Sequence, residues 1–176
     1  GDEVITHAPY WPTIVEQVKI AGATPVIAKT SAADGFTVHA QPIIDLITPK
    51  TKAIIINSPG NPTGALISES ELARIAEAAA PKGIWIVIDL CYEQLIYDKD
   101  PHNLPKVLFD RMRERTILCG SASKAYAMTG WRCGWTIGPA EVIAACNTIL
   151  SHATSNIASI TQKAALAAIV GRSEEH

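Results

Sequence analysis

Two short stretches of this 176-residue chain constrain its architecture more than anything else: Ile54-Ile55-Ile56 and Ile84-Trp85-Ile86-Val87-Ile88. Each is apolar at every position instead of every second one. A strand with apolar side chains on both sides needs cover on both faces, the condition found inside a helix-flanked parallel sheet. Ala53–Asn57 and Ile84–Asp89, built on these runs, are strand candidates, as are Val4–Thr6, Pro25–Lys29, Thr116–Gly120 and Cys133–Ile137. Helical patterns separate them. Such alternation predicts an α/β fold, a mostly parallel sheet flanked by helices in three layers (αβα).

The helices carry legible start and stop signals. Pro12 suits a first turn, Ile14, Val15, Val18 and Ala21 share a face, and Gly22 can end the element. Ser68-Glu69-Ser70-Glu71 reads as a capping box, in which the Ser68 hydroxyl and the Glu71 carboxylate serve orphan amides reciprocally. Leu72, Ile75, Ala76 and Ala79 then form its buried stripe. Val142, Ile143, Cys146, Ile149 and Leu150 mark another helix, and an Ala-rich one runs from Ser159 to Val170. Asp98–Pro105 reads as a surface loop. No repeat, low-complexity tract or linker divides the chain, so residues 1–176 read as one domain.

Composition excludes several classes of function. The formal charge of -2 leaves no basic stripe to hold a phosphate backbone, which argues against nucleic acid. No apolar run approaches the roughly 18–20 residues of a membrane helix. Cys91, Cys119, Cys133 and Cys146 form no C-x-x-C pair and no disulfide-dense pattern, which suits a reducing, cytoplasmic setting. His7, His39, His102, His152 and His176 share no ligand spacing, so no metal site is expected. The chain opens Gly1-Asp2-Glu3-Val4 with no Met and no signal peptide, and reads as an internal part of a longer protein.

In open α/β sheets ligands gather beyond the carboxyl ends of the strands. Asn57 to Gly64 (Asn-Ser-Pro-Gly-Asn-Pro-Thr-Gly) follows one apolar run, and Asp89-Leu90-Cys91-Tyr92 follows the next. Ser121-Ala122-Ser123-Lys124 follows a third, with Met128-Thr129-Gly130-Trp131-Arg132 behind it. The fold would collect these groups at one edge of the sheet. Taken singly, each has a plainer explanation. Asn57 to Gly64 could be an ordinary turn, Asp89 and the two serines could be helix caps, and Lys124 and Arg132 could be solvated surface charges.

Together they resemble one family. Asn61-Pro62-Thr63-Gly64, Asp89-x-x-Tyr92, Ser121-x-Ser123-Lys124 and Gly130-Trp131-Arg132-Cys133-Gly134 stand in the order found in class I/II aminotransferases. These are the aspartate-aminotransferase-like, fold type I enzymes that use pyridoxal 5'-phosphate. Pro9-Tyr10-Trp11 is similar to the family's aromatic segment, and the resemblance runs from Gly1 to about Arg172. It implies that Lys124 forms the Schiff base with the cofactor aldehyde, because only lysine supplies a side-chain amine for that bond. It implies that Asp89 keeps the pyridine nitrogen protonated, and that Tyr92 and Asn61 donate to the ring's phenolate oxygen. Arg132 and Ser121 match the family's phosphate ligands, and Trp11 matches the aromatic residue lying on the ring. Trp11 and Asn61 are also candidates for touching substrate, while Lys124, Asp89 and Tyr92 form the catalytic set.

The implied reaction moves an amino group from an amino acid to a 2-oxo acid, with the freed Lys124 as general base. Two alternatives stay open: another reaction on the same fold, such as a C–S or β-lyase or a decarboxylase, or a non-catalytic aminotransferase-like domain of a transcription regulator. Many relatives place an acidic and then an aliphatic residue where this chain has Leu90 and Cys91. Both read as packing variation without contact to the cofactor. The resemblance further implies an N-terminal segment with a phosphate-binding turn, a C-terminal small domain bearing the Arg that grips the substrate carboxylate, and a homodimer. Residues 1–176 would then be a portion of the cofactor-binding large domain, with little or no activity alone.

Overall fold

The computed structural model describes residues 1–97 and 103–171. These form strands β1 (Glu3–Ala8), β2 (Thr24–Lys29), β3 (Thr51–Asn57), β4 (Trp85–Asp89), β5 (Thr116–Ser121) and β6 (Gly134–Ile137). Every strand expected from the sequence is present, with ends shifted by a residue or two. The sheet order is β2-β1-β3-β4-β5-β6. All neighbours are parallel except β6, which runs antiparallel to β5.

The helices are α1 (Pro12–Ile20), α2 (Ala40–Ile44), α3 (Glu69–Ala79), α4 (Leu104–Met112), α5 (Ala122–Ala125), α6 (Ala140–Ala153) and α7 (Ser159–Val170). The chain steps outward from β1 to β2, returns past β1 to β3, and then proceeds to β4 and β5. Right-handed crossovers therefore place α1 on one face and α2, α3 and α4 on the other. The reversal between β1 and β3 is the kind of switch point at which α/β sheets open a crevice.

The face under α2, α3 and α4 holds the main core. Ile5, Ile54, Ile56, Ile86, Ile88 and Leu118 meet Ile43, Leu72, Ile75, Ala76, Ala79, Leu104 and Leu108 there, all buried. Each large side chain sealed in this way contributes roughly 1.5–3 kcal/mol. The predicted stripe of α3 is entirely inside. On the opposite face the alternate residues Ile55, Trp85, Val87 and Ile117 are only half-buried. The apolar runs are thus sealed on one side only, contrary to the expectation of cover on both. Trp85 takes part of its cover from a cation, the Arg115 guanidinium 4.7 Å from its ring centroid.

Local signals are met with three differences. Ala21 is exposed because α1 ends at Ile20; its N–H bonds the Gln17 carbonyl, and Gly22 at φ +78° turns the chain into β2. Ser68 Oγ accepts the Glu71 N–H at 3.2 Å, but Glu71 does not reach back to Ser68. Its carboxylate accepts the Ala40 N–H at the start of α2 and holds Arg74 at 3.2 Å, so only half of the capping box forms. That amide, chiefly, keeps the Glu71 carboxyl below the usual range. Of the expected 98–105 loop, residues 98–102 lie outside the described residues. Leu104 and Pro105 instead open α4, with Asn103 Oδ1 accepting the Lys106 N–H at 3.1 Å.

The last two helices are where their patterns put them, yet they bury little. α6 buries no residue, and Ile149, Leu150, Ile160, Leu166, Ile169 and Val170 are exposed. Ala165 of α7 joins Ala122 and Met128 in a small second cluster beside α5. Among the described residues no helix is long and apolar enough to cross a membrane.

Candidate active site

A cleft of about 420 Å³ opens beyond the carboxyl ends of β3, β4 and β5. That is within the usual size of small-molecule sites, roughly 300–1,000 Å³. Trp11, Asn61, Asp89, Tyr92, Ser121, Lys124 and Arg132, the residues singled out from the sequence, all line it.

Each arrives by a local device. Asn57 ends β3, and its Oδ1 accepts the Asn61 N–H at 2.7 Å while its Nδ2 donates to the Asp89 carbonyl at 3.3 Å. The loop after β3 is thereby folded back, and Asn61 Nδ2 reaches the Tyr92 hydroxyl at 3.4 Å. From β1, buried His7 accepts the Asn57 N–H on Nε2 at 3.2 Å, and burial pulls its pKa down, holding it neutral.

β4 delivers Asp89 half-buried, with Oδ1 accepting the Cys91 N–H at 2.9 Å. Burial pushes this carboxyl pKa up, and the amide only partly opposes the shift. Its Oδ2 has no hydrogen bond among the described residues. An acid in that condition gains from a cation placed beside it.

β5 delivers Ser121, which caps α5 by accepting the Ser123 N–H at 3.3 Å. Lys124 follows within α5, exposed, its Nζ 5.8 Å from the Tyr92 ring centroid. Ser121 is thus a helix cap, as the plainer reading had it, whereas no helix directly follows Asp89 and its carboxylate closes a turn onto Cys91; both still line the cleft. A cap uses one acceptor position and leaves further hydrogen-bonding capacity.

Arg132 enters because β6 can lie tightly against β5. Gly120 faces Trp135 across the pair, and a Cβ on residue 120 would strike the Trp135 indole nitrogen. A Cβ on Gly134 would come within 3.0 Å of the Gly120 carbonyl. The missing side chain at Gly120 makes room for the Trp135 indole, Gly134 is tight against the Gly120 carbonyl, and the segment before β6 lies beside Ser121. Arg132 sits at φ 54°, its NH1 donating to the Thr129 carbonyl at 2.8 Å. Trp11, 46% exposed, comes from the junction of β1 and α1.

Asn57, Cys91, Ser123, Thr129, Cys133 and Gly134 complete the lining. Asn57 stands at the end of β3 as Asp89 does at the end of β4. Leu90 is buried in the core, as packing variation implies. Cys91 is not: it lines the cleft with its Sγ 3.2 Å from Ser121 Oγ. Packing in the core thus describes Leu90 and not Cys91, whose side chain faces the crevice.

The family described as aminotransferase class I and II matches residues 1–176. The aspartate aminotransferase of Streptomyces avermitilis is 42% identical over 172 residues, which are 97% of this chain and 42% of that protein. The aspartate/prephenate aminotransferase of Cereibacter sphaeroides is 44% identical over 99% of this chain and 44% of its own length. Among solved structures, the Rhizobium meliloti aspartate aminotransferase superposes with a TM-score of 0.92 at 37% identity, over 99% of this chain and 44% of its own. The Thermus thermophilus aspartate aminotransferase with maleate gives 0.90 at 38% identity, over 97% and 44%. The chain spans less than half the length of each of these relatives. On its sequence, its sheet order and the cleft at its strand ends, the chain belongs to the class I and II aminotransferases.

Proposed function

We propose that residues 1–176 are a cofactor-binding portion of a pyridoxal 5'-phosphate-dependent aminotransferase that moves an amino group from an amino acid to a 2-oxo acid. The observation that carries this reading is the convergence of one amine, one half-buried carboxylate, one guanidinium and several hydroxyl and amide donors on a single cleft.

The donor set fits such a cofactor group by group. Lys124 supplies the amine for its aldehyde, and Asp89 a carboxylate for its ring nitrogen. Asn61 and Tyr92 supply neutral donors for its ring oxygen, Arg132 and Ser121 a cation and a hydroxyl for its phosphate, and Trp11 an aromatic surface for its ring. When bound, pyridoxal phosphate supplies an electron sink for the pair left when a bond at the amino acid's Cα breaks.

The protein's part is positioning and proton transfer. Burial raises the Asp89 carboxyl pKa, so a protonated ring nitrogen placed beside it would favour its carboxylate form and be favoured in turn. Lys124 would hold the cofactor through its amine, and the same Nζ would be the base placed to take the substrate's α proton. Asn61 holds the Tyr92 hydroxyl, so both act from fixed positions.

The names of the relatives make aspartate the first donor to test. The exposed apolar residues of α6 and α7 support a homodimer in the longer protein, because monomers rarely leave such a patch uncovered. The four unpaired cysteines support a cytoplasmic setting. The full-length protein, incubated with pyridoxal phosphate, aspartate and 2-oxoglutarate, should form oxaloacetate and glutamate only when both substrates are present. Release of ammonia with no need for the oxo acid would make it a lyase instead.

A further inference from the structure

Cys91 makes two contacts, and they fall on two different site residues. Its backbone N–H donates to Asp89 Oδ1 at 2.9 Å, and its Sγ lies 3.2 Å from Ser121 Oγ. Asp89 ends β4, whereas Ser121 ends β5. Cys91 therefore spans the cleft wall from the carboxylate to the hydroxyl. We propose that Cys91 is a positioning residue of this site, whose thiol sets the direction in which the Ser121 hydroxyl donates.

A serine hydroxyl has one hydrogen to give and two acceptor positions. The Ser123 N–H takes one acceptor position of Ser121 at 3.3 Å. If Ser121 gave its hydrogen to Cys91 Sγ, it would have none for an anion in the cleft. With an anion present, the arrangement that satisfies every group is the reverse. The thiol gives its hydrogen to Ser121 Oγ and fills the second acceptor position, and the Ser121 hydrogen is left for the anion. Arg132 lines the same cleft and favours an anion there. A thiol is a weak donor, so the effect is modest, but it acts only on a ligand that uses Ser121.

This rests on the cofactor reading above, with Ser121 toward the phosphate. Binding of pyridoxal 5'-phosphate and of pyridoxal, which lacks the phosphate, is measured on the full-length enzyme and its Cys91→Ala, Cys91→Ser, Ser121→Ala and double Cys91→Ala/Ser121→Ala variants. Cys91→Ala is expected to weaken the phosphate-bearing ligand about two- to fivefold, the scale of one weak hydrogen bond, and to leave pyridoxal unchanged. Cys91→Ser should restore wild-type affinity, because a hydroxyl donates where the thiol did. In the Ser121→Ala background, Cys91→Ala should have no further effect. Equal losses for both ligands, or the same loss with and without Ser121, would overturn the proposal and leave Cys91 as packing. Wild-type binding of pyridoxal phosphate with an unaltered Cys91→Ala variant overturns this inference alone. A wild-type enzyme that fails to bind pyridoxal phosphate overturns the cofactor reading and this inference with it.

Discussion

The face of the sheet under α2, α3 and α4 and the cleft at the strand ends are built from the same strands by opposite rules. Under the helices, Ile54, Ile56, Ile86 and Ile88 are fully buried and have no polar duty. At the carboxyl ends of β4 and β5, Asp89 and Ser121 are half-buried, and Lys124 just beyond in α5 is exposed. Their polar groups are partly committed: Asp89 uses one oxygen for the Cys91 N–H, and Ser121 meets the Ser123 N–H and the Cys91 thiol. The first region holds stability with nothing left over. The second keeps hydrogen-bonding capacity for a ligand and gives up some stability to do so. The two should therefore separate under mutation.

Lys124→Ala should show the largest effect. Turnover in the full-length enzyme should fall by at least about 10²–10⁴-fold, the scale of a lost general base. The melting temperature without cofactor should hardly move, because Lys124 is exposed. A matching loss of stability would merge the two regions and break the contrast. Leu72→Ala is the mirror case. It should lower the unfolding free energy by about 2–5 kcal/mol in urea titration while the folded fraction keeps its cofactor affinity.

Gly120→Ala sits on the boundary between the regions. Its new methyl group meets the Trp135 indole, so it should cost about 1–3 kcal/mol by overpacking. By pushing β6 away it should also weaken the ligand held by Arg132. A stability loss with no change in ligand affinity would show that the fit of β6 on β5 does not set Arg132.

The smallest effects concern pH, and they have opposite signs. Burial raises the Asp89 carboxyl above its unfolded value, so the folded state holds its proton longer. Stability of the cofactor-free enzyme should fall as pH rises through the window from the ordinary aspartate value to the raised one. Asp89→Asn should flatten that slope. Burial lowers His7, so its contribution is present above the ordinary histidine value and is lost as pH falls toward the depressed one. His7→Gln, which keeps an acceptor for the Asn57 N–H, should flatten the slope on that side. Thermal unfolding across the acidic range measures both.

The same contrast explains what could be read from the sequence. Strands and the α3 stripe follow from patterns local to each segment, and all of them appear. The half-cover of Ile55, Trp85 and Val87 was not legible, because a periodic run states what needs cover and not what supplies it. The Glu71 carboxylate went to Ala40, 31 residues away, where the local motif pointed to Ser68. The site was legible as a set, since the motifs stand in family order and the strands bring them to one edge. Cys91 was not, because its contact with Ser121 exists only once β4 and β5 lie side by side.

A cofactor held at these strand ends would be anchored on Lys124. The most direct test is to incubate the full-length protein with pyridoxal 5'-phosphate, reduce with borohydride, digest, and locate the added mass. A phosphopyridoxyl group is expected on the peptide carrying Lys124, and its loss in the Lys124→Ala variant. An unlabelled Lys124, or label that settles on other lysines and persists in the variant, would contradict it.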